Sequence, residues 1–487
     1  MALDYDLSPF FHPKSVCLVG ATNNPTKWGF SVLHNLLMGG YAGNVYPVNL
    51  KGEDILGMKS YPSIRDLPET PDLAMVCVPN HAVLGVIEDL AAKGGKAAFV
   101  ISSGFSEAGE EEKQMEREMA RKAKEAGLII GGPNGQGLVS TRCKLFCLMS
   151  GAYNKPGPIS IVSQSGNVGG TILFSAYHHG FGIGKFVSSG NEAFVKLHDY
   201  IRYFGEDPET SVVLVYIENL KEGPAFLDAC REVVPKKPVI VLRGGKTEEG
   251  ASAARSHTGA MATSTEIFDA ACRQVGILQV RDLREMFNVA IALAHQPLPA
   301  GDRVGILTLG GGWGVLAADA VSQYGLRLPK LPAKIMEEYS AFLPPFWSKN
   351  NPVDLVATRE LGTTARSLEI LARWEGVDAL MMLGLGYGTR SVHLSSKFSP
   401  FKDNPMLKMV ADFVLQEDMS TAEAIVRLVR EVNKPFAVCS DAVLGSRLSE
   451  SAPILHLENH DILVHATPND GAATLRAMWQ YAQIRAR

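Results

Sequence analysis

The apolar runs of this chain do not alternate with polar residues. SVCLVG at 15–20, DLAMVCV at 72–78, AAFVIS at 97–102, PISIVS at 158–163, SVVLVYIE at 211–218, PVIVLR at 238–243 and DALMMLGLG at 378–386 are apolar almost throughout. A strand with one face in water keeps a polar residue at every second position, so unbroken runs imply strands covered on both faces. Helical patterns fill the gaps: WGFSVLHNLLMGG at 28–40, where Phe30, Leu33 and Leu37 share a face, HAVLGVIEDLAAKG at 81–94, EEEKQMEREMARKAKEAG at 110–127 and STEIFDAACRQVG at 264–276. Strand, glycine-bearing loop and helix in succession predict parallel sheets with helices on both sides. The pattern runs through three stretches, broken by a KPG turn at 155–157 and by PLPAG at 297–301. In the last stretch a long helix is expected around 421–433, with a further helical segment around 396–416. The expected fold class is α/β, with three parallel-sheet domains over residues 1–135, 136–297 and 298–487.

A chain of 487 residues is too long for one core, which agrees with several domains. The net charge of -4 and the lack of a Lys/Arg block argue against nucleic acid as a partner. The N-terminal segment lacks the basic start and apolar run of a signal peptide, and no apolar stretch is long enough to cross a membrane. Seven cysteines, an odd number scattered through strands and helices, fit reduced thiols and a cytoplasmic protein. Cys143 and Cys147 form a single CxxxC, and His456 and His460 a single i, i+4 pair. Neither makes a ligand set by itself, and no metal site is expected on this chain.

Ligands of parallel α/β sheets gather where strands end and helices begin, because free amides and the helix dipole favour anions there. Three glycine turns occupy such places. Gly20, Ala21, Thr22 and Asn23 follow the first strand without completing the G-x-G-x-x-G of dinucleotide sites. Gln164, Ser165, Gly166 and Asn167 open a helix rich in small residues, where the Ser165 hydroxyl and the nearby amides suit a phosphate. Gly310, Gly311 and Gly312 form the third turn. The loop RGGKTEEGASAARSHTG at 243–259 holds His257 among small and polar neighbours, with Arg243, Lys246 and Arg255 close in sequence. An isolated loop histidine is usually just solvated. This one has the access and positive charge that an imidazole needs to carry a phosphoryl group. Glu218 ends a strand in the same domain, and a carboxylate on one imidazole nitrogen fixes the tautomer and leaves the other nucleophilic.

These loops, in this order, resemble the NDP-forming acyl-CoA synthetase superfamily, which includes succinyl-CoA synthetase and the ADP-forming acetate–CoA ligases. The resemblance covers essentially the whole chain. It is carried by SHTG at 256–259 after GKTEEGASAA, QSG at 164–166, SSGNEA at 188–193, YPVNLKG at 46–52, VPN at 78–80, SSGFSEAG at 102–109, GPNGQG at 132–137, GGWGVLAAD at 311–319 and NPVDL at 351–355. It implies a Rossmann-like CoA-binding domain followed by two flavodoxin-like domains. Gly20, Ala21, Thr22, Asn23, Lys51, Val78, Pro79, Gly104, Phe105, Ser106 and Glu107 match CoA-contacting positions. His257 matches the phosphohistidine and Glu218 the acid that hydrogen-bonds it. Ser165 and Gly166 match the helix start that receives phosphate, and Asn134 lies close to where acid and thioester react.

The implied reaction interconverts a small carboxylic acid, ATP and CoA with acyl-CoA, ADP and phosphate, through a phosphohistidine and an acyl phosphate. The family needs an ATP-grasp module for ATP/ADP and Mg²⁺, which single-chain members carry as extra sequence. No segment here resembles it, so an alpha subunit is expected, with the nucleotide site on a separate beta subunit in an α₂β₂ assembly. A CoA- or acyl-CoA-binding sensor is the alternative. Gly135 and Gln136 in GPNGQG, Phe194 and Lys196 after GNEA, and Trp313 depart from the family pattern and leave the acid open.

Overall fold

The structure is a computed structural model that describes residues 5–250, 252, 264–356, 360–398, 404–444 and 451–487. Two compact units divide between Met286 and Phe287.

The first unit holds two sheets. In one, β1 (Ser15–Val19), β2 (Asn44–Val48), β3 (Leu73–Val76), β4 (Ala97–Val100) and β5 (Ile129–Gly131) run parallel in the order β2-β1-β3-β4-β5. Cys17, Val19, Ala74, Val76, Ala98 and Val100 point to one face, where Val83, Ile87 and Leu90 of the helix Asn80–Ala92 meet them. The intervening residues Val16, Leu18, Met75 and Phe99 are buried as well. Both faces are therefore covered, which is why the runs do not alternate.

The second sheet contains β6 (Gly137–Ser140), β7 (Leu145–Leu148), β8 (Ile159–Ser163), β9 (Ile183–Ser188), β10 (Val212–Ile217), β11 (Val239–Arg243) and β12 (Leu278–Gln279), in the order β12-β11-β10-β8-β9-β6-β7. β6 lies antiparallel to both β9 and β7. This hairpin was not expected from the sequence, and it makes an otherwise parallel sheet mixed. Its strands are only four residues each, so they carry no periodicity of their own.

In the second unit, β13 (Val304–Thr308), β14 (Val353–Asp354), β15 (Ala379–Leu383), β16 (Phe436–Cys439) and β17 (Val464–His465) run parallel in the order β14-β13-β15-β16-β17. Leu380, Met382, Phe436 and Val438 fill one face, and Ala379, Met381, Leu383, Ala437 and Cys439 the other. Each fully buried Leu or Val contributes roughly 1.5–3 kcal/mol. The helix Leu283–His295, read from the sequence as part of the second domain, ends in this unit. Ala292 joins its core, and Gln296 exchanges hydrogen bonds of 3.1 and 2.8 Å with the Phe436 backbone.

Two helical expectations need correction. The helix Trp28–Met38 buries Gly29, Val32, Leu33 and Leu36, while Leu37 is exposed and Phe30 only partly covered. The buried stripe is displaced by one position because Gly29 must face the first loop. The segments expected around 396–416 and 421–433 are instead the helices Tyr387–Phe398 and Pro405–Val432. The second runs unbroken through Glu417 and Asp418, which face neighbouring elements. Glu417 accepts the amides of Gly362 and Thr364, and Asp418 that of Thr389, at the starts of two neighbouring helices.

Counted in chain order, the five parallel strands of each sheet (β1–β5, β8–β12 and β13–β17) run 2-1-3-4-5, with the β6–β7 hairpin added beyond β9 in the second. Each therefore has a topological switch beside its first strand, where a crevice opens at the carboxyl ends. The three glycine turns picked out in the sequence follow those three first strands.

Candidate functional site

The first switch lies between the ends of β1 and β3. Gly20 has φ +92°, and a Cβ there would sit 2.4 Å from the Cys77 carbonyl oxygen. A Cβ on Gly29 would fall 2.0 Å from the Gly20 oxygen. Only glycines let strand, turn and helix approach so closely. The Gly20 and Ala21 amides donate to the Val48 carbonyl at 3.0 and 3.2 Å, and Asn49 Nδ2 donates to Ala21 O at 2.7 Å. The turn is thereby tied to the loop that presents exposed Lys51.

Gly20, Ala21, Thr22, Lys51, Val78 and Pro79 all line one cavity of about 1310 Å³. Asn23 does not. Its side chain bridges the Asp54 carbonyl and the Leu56 amide, holding the 50s loop. Gly104, Phe105, Ser106 and Glu107 stand apart from the cavity lining too. Phe105 is fully buried in the sheet core. Glu107 accepts the Gly104 amide at 2.6 Å and Asn191 Nδ2 at 2.5 Å. Burial would raise its carboxyl, but these hydrogen bonds hold it below the usual carboxylate range. From the same loop it is Ser102 and Ser103 that reach the cavity. Lys27 and Trp28 also line it, and Trp28 is 56% exposed. A tryptophan placed beside a lysine at a helix start, straight after a polar loop, was the available signal for them.

The same cavity is walled on its other side by Asn134, Gly135, Gln136, Gln164, Ser165, Gly166 and Asn167. Asn134 has φ +61° and donates its amide to Ser102 O at 2.9 Å. Ser165 caps the helix Gly166–His178, its hydroxyl accepting from the Val168 amide at 3.5 Å. A Cβ on Gly166 would meet Gln136 Cβ at 2.6 Å, and one on Gly169 would meet Phe186 at 2.3 Å. The small residues at this helix start are thus what lets it close on both β9 and the 130s loop. Its leading amides and dipole favour an anion in the cavity.

Glu218 follows β10 directly, across the second switch from Ser165, and its side chain hydrogen-bonds the Tyr216 hydroxyl. Burial, then the charge of Glu218, pushes that phenol up to about 12. The register pairs Ile217 with Arg243, and the Gly244 amide donates to Ile217 O at 2.8 Å. The chain therefore leaves β11 within one residue of Glu218. His257 itself, with Arg255, lies outside the described residues. The described ends of its loop meet, because Thr265 Oγ1 donates to Lys246 O at 3.1 Å. Arg243 is not an exposed loop cation: it is buried, with its guanidinium 4.7 Å from the Phe268 ring centre. Lys246 Nζ donates to Val280 O at 3.2 Å.

At the third switch, Gly310 N–H donates to Thr308 Oγ1 at 3.1 Å, and Gly311 begins the helix Gly311–Gln323. No group of three or more His, Cys, Asp or Glu that could hold a metal occurs among the described residues. The His456 and His460 rings lie 4.5 Å apart, and His460 Nδ1 hydrogen-bonds the His456 carbonyl. All seven cysteines are free. Among the described residues no helix is long and apolar enough to cross a membrane.

Comparison with known proteins matches residues 14–140 to a CoA binding domain, 156–293 to a succinyl-CoA ligase like flavodoxin domain and 304–392 to a ligase-CoA domain. The chain is 36% identical over 481 residues to the alpha subunit of acetate–CoA ligase [ADP-forming] II of Pyrococcus furiosus, covering 99% of this chain and 98% of that one. It is 40% identical over 356 residues to the alpha subunit of the corresponding ligase I, covering 72% and 76%. Its match to acetate–CoA ligase [ADP-forming] I of Archaeoglobus fulgidus, at 36% identity, covers 77% of this chain and 54% of that longer one. Among solved structures, the dinucleotide-forming acetyl-coenzyme A synthetase 1 of Ca. Korarchaeum cryptofilum, in complex with phosphate and ADP, aligns with a TM-score of 0.85 at 31% identity, covering 99% of this chain and 98% of that one. The domain order, the switch-point loops and these matches make this chain a member of the NDP-forming acyl-CoA synthetase family, in the branch of the ADP-forming acetate–CoA ligase alpha subunits.

Proposed function

We propose that this chain is the catalytic alpha subunit of an ADP-forming acid–CoA ligase, acting in the cytoplasm through domains at 1–135, 136–297 and 298–487. CoA occupies the first-domain side of the cavity, with Gly20–Thr22, Val78 and Pro79 along it and Lys51 facing one of its phosphates. ATP and Mg²⁺ belong to an ATP-grasp beta subunit in an α₂β₂ assembly. The γ-phosphoryl group of ATP passes to an imidazole nitrogen of His257, leaving ADP. Glu218 accepts the hydrogen bond of the other ring nitrogen and steadies the imidazole as it becomes cationic. The phosphoryl group then moves to a carboxylate oxygen of the acid at the start of the Gly166 helix, where Ser165 and the leading amides hold its charge. Asn134 borders the place where the CoA thiol attacks the acyl carbon. The C–O bond to phosphate breaks, and the thiol proton leaves with the phosphate.

The observation that supports this most is the single cavity shared by the first-domain loops and the Ser165–Gly166 helix start. CoA and the phosphoryl group must meet in one space, and a site for CoA alone has no use for that helix start. The test is intact mass of the chain after incubation with ATP, Mg²⁺ and the beta subunit. An acid-labile phosphate is expected, absent in His257→Ala. A fully active His257→Ala enzyme would sink the mechanism, and CoA binding without any phosphorylation would favour the sensor.

A further inference from the structure

Gln164 stands between the two switch-point loops of the second sheet, and its side chain is fully used. Its Oε1 accepts the backbone amides of both Glu218 and Asn219, at 2.8 and 2.9 Å. Its Nε2 donates to the Asn219 carbonyl at 2.8 Å and to Glu192 Oε1 at 2.9 Å. Two acceptances and two donations exhaust a primary amide, and they fix which end is oxygen, since a flipped amide would set N–H against N–H. The carboxamide thus replaces a missing strand neighbour for the turn that carries Glu218.

Glu192 fixes Gln164 in turn. It is 8% exposed and has φ +59°, a conformation uncommon for a residue other than glycine. Its Oε1 also accepts the Ser189 hydroxyl at 2.9 Å. The turn bearing it is clamped from outside: the Asn191 and Ala193 amides donate to the Pro133 and Gly132 carbonyls at 2.9 and 3.0 Å. Burying a carboxyl costs free energy unless its partners repay it. Burial here raises the Glu192 carboxyl above its usual range despite the hydrogen bonds from Gln164 and Ser189. A leucine would fill such a place at less cost if filling were all that was needed.

We infer that Gln164 and Glu192 are positioning residues for the phosphoryl transfer, setting the backbone at Glu218 so that its carboxylate meets His257. This rests on the function proposed above. Gln164 acts through Glu218, so removing it should matter only while Glu218 is present.

The experiment is a double-mutant cycle in the complex with the beta subunit, read as the rate of acid-labile phosphate formation on the chain. Gln164→Ala should slow it at least about tenfold, the scale expected for a misplaced catalytic group. CoA affinity and the KM for ATP should stay within about twofold of the wild type. Gln164→Ala with Glu218→Gln should be no slower than Glu218→Gln alone. Glu192→Leu should slow the same step, and Glu192→Gln, which keeps the acceptor, should recover most of that loss. If Gln164→Ala does not fold, the Glu192 pair combined with Glu218→Gln carries the same comparison. Phosphorylation at the wild-type rate in Gln164→Ala, or losses that multiply in the double variant, would overturn the inference and leave the function standing. A wild-type chain that takes up no phosphate would overturn both.

Discussion

At the scale of single residues, the cavity offers two cations to an anionic ligand, Lys27 and Lys51, with Glu88 and Asp89 also along its wall. Lys51 is exposed, and its backbone amide is held by Asn49 Oδ1 at 2.9 Å, so the loop is fixed while the ammonium is left to reach. Lys51→Ala should weaken CoA by ~1–3 kcal/mol, the range of one charge-assisted contact. If Lys51 meets the 3′-phosphate, dephospho-CoA should lose much less; calorimetric titration with both ligands decides it. Equal losses would move Lys51 to the pyrophosphate, and no loss would leave the charge to Lys27. Residues of this kind were legible in the sequence because loop position and residue type largely define them. Asn23, Phe105 and Glu107 were legible only as positions in motifs. Whether a side chain in a motif faces a ligand or its own surroundings depends on partners such as Leu56 for Asn23 and Asn191 for Glu107, which lie outside that residue's own motif.

At the scale of elements, long apolar runs announced β1, β3, β4, β8, β10, β11 and β15, since a strand buried on both faces has little other composition open to it, whereas β9 hides a buried Lys185 paired with Asp207 and Glu209. The hairpin β6–β7 gave no such signal, and neither did two-residue strands such as β14 and β17. The displaced face of the helix Trp28–Met38 has a specific cause. A glycine has no hydrophobic weight in a periodicity, yet Gly29 lies directly on the Gly20 turn, where a Cβ would fall 2.0 Å from the Gly20 oxygen. Gly29→Ala should therefore force the helix off the Gly20 turn, with a stability loss of about 1–3 kcal/mol typical of overpacking. CoA affinity should fall with it, while phosphorylation of His257 continues. Unchanged CoA binding would mean that the turn plays no part in the site. A second element-scale effect concerns pH. His465 in β17 is 3% exposed, and burial depresses its pKa from 6.5 to about 4, against the opposing charge of Asp470. The unfolded chain takes up this proton first as pH falls, so His465 contributes stability above about pH 6.5 that is lost progressively toward pH 4. The full loss is about 3 kcal/mol. Thermal melts at pH 7 and pH 4.5 should show a smaller acid-induced drop in His465→Phe than in the wild type, and equal drops would discard the assignment.

At the scale of the whole molecule, one order of five parallel strands recurs in all three sheets, and each set places a glycine turn at its switch. The chemistry is divided among them. The first two switches, in one compact unit, supply the cavity and the Glu218 turn. What the proposed reaction still needs is a place where adenine, triphosphate and metal are held together. The sequence contains no GxxxxGK[ST] to cradle a triphosphate. Among the described residues no carboxylate or histidine cluster could hold the metal. The purified chain is therefore expected to bind CoA but to form no acyl-CoA from ATP, acid and CoA. Adding the beta subunit should restore turnover. Size-exclusion chromatography with light scattering on the restored complex should then give the mass of two chains of each kind. A panel of acetate, branched, aryl and dicarboxylic acids would show which acid the restored complex accepts. Robust ligase activity from the rigorously purified chain would overturn the division of labour and require a nucleotide site at the third switch, beside Gly310–Gly312.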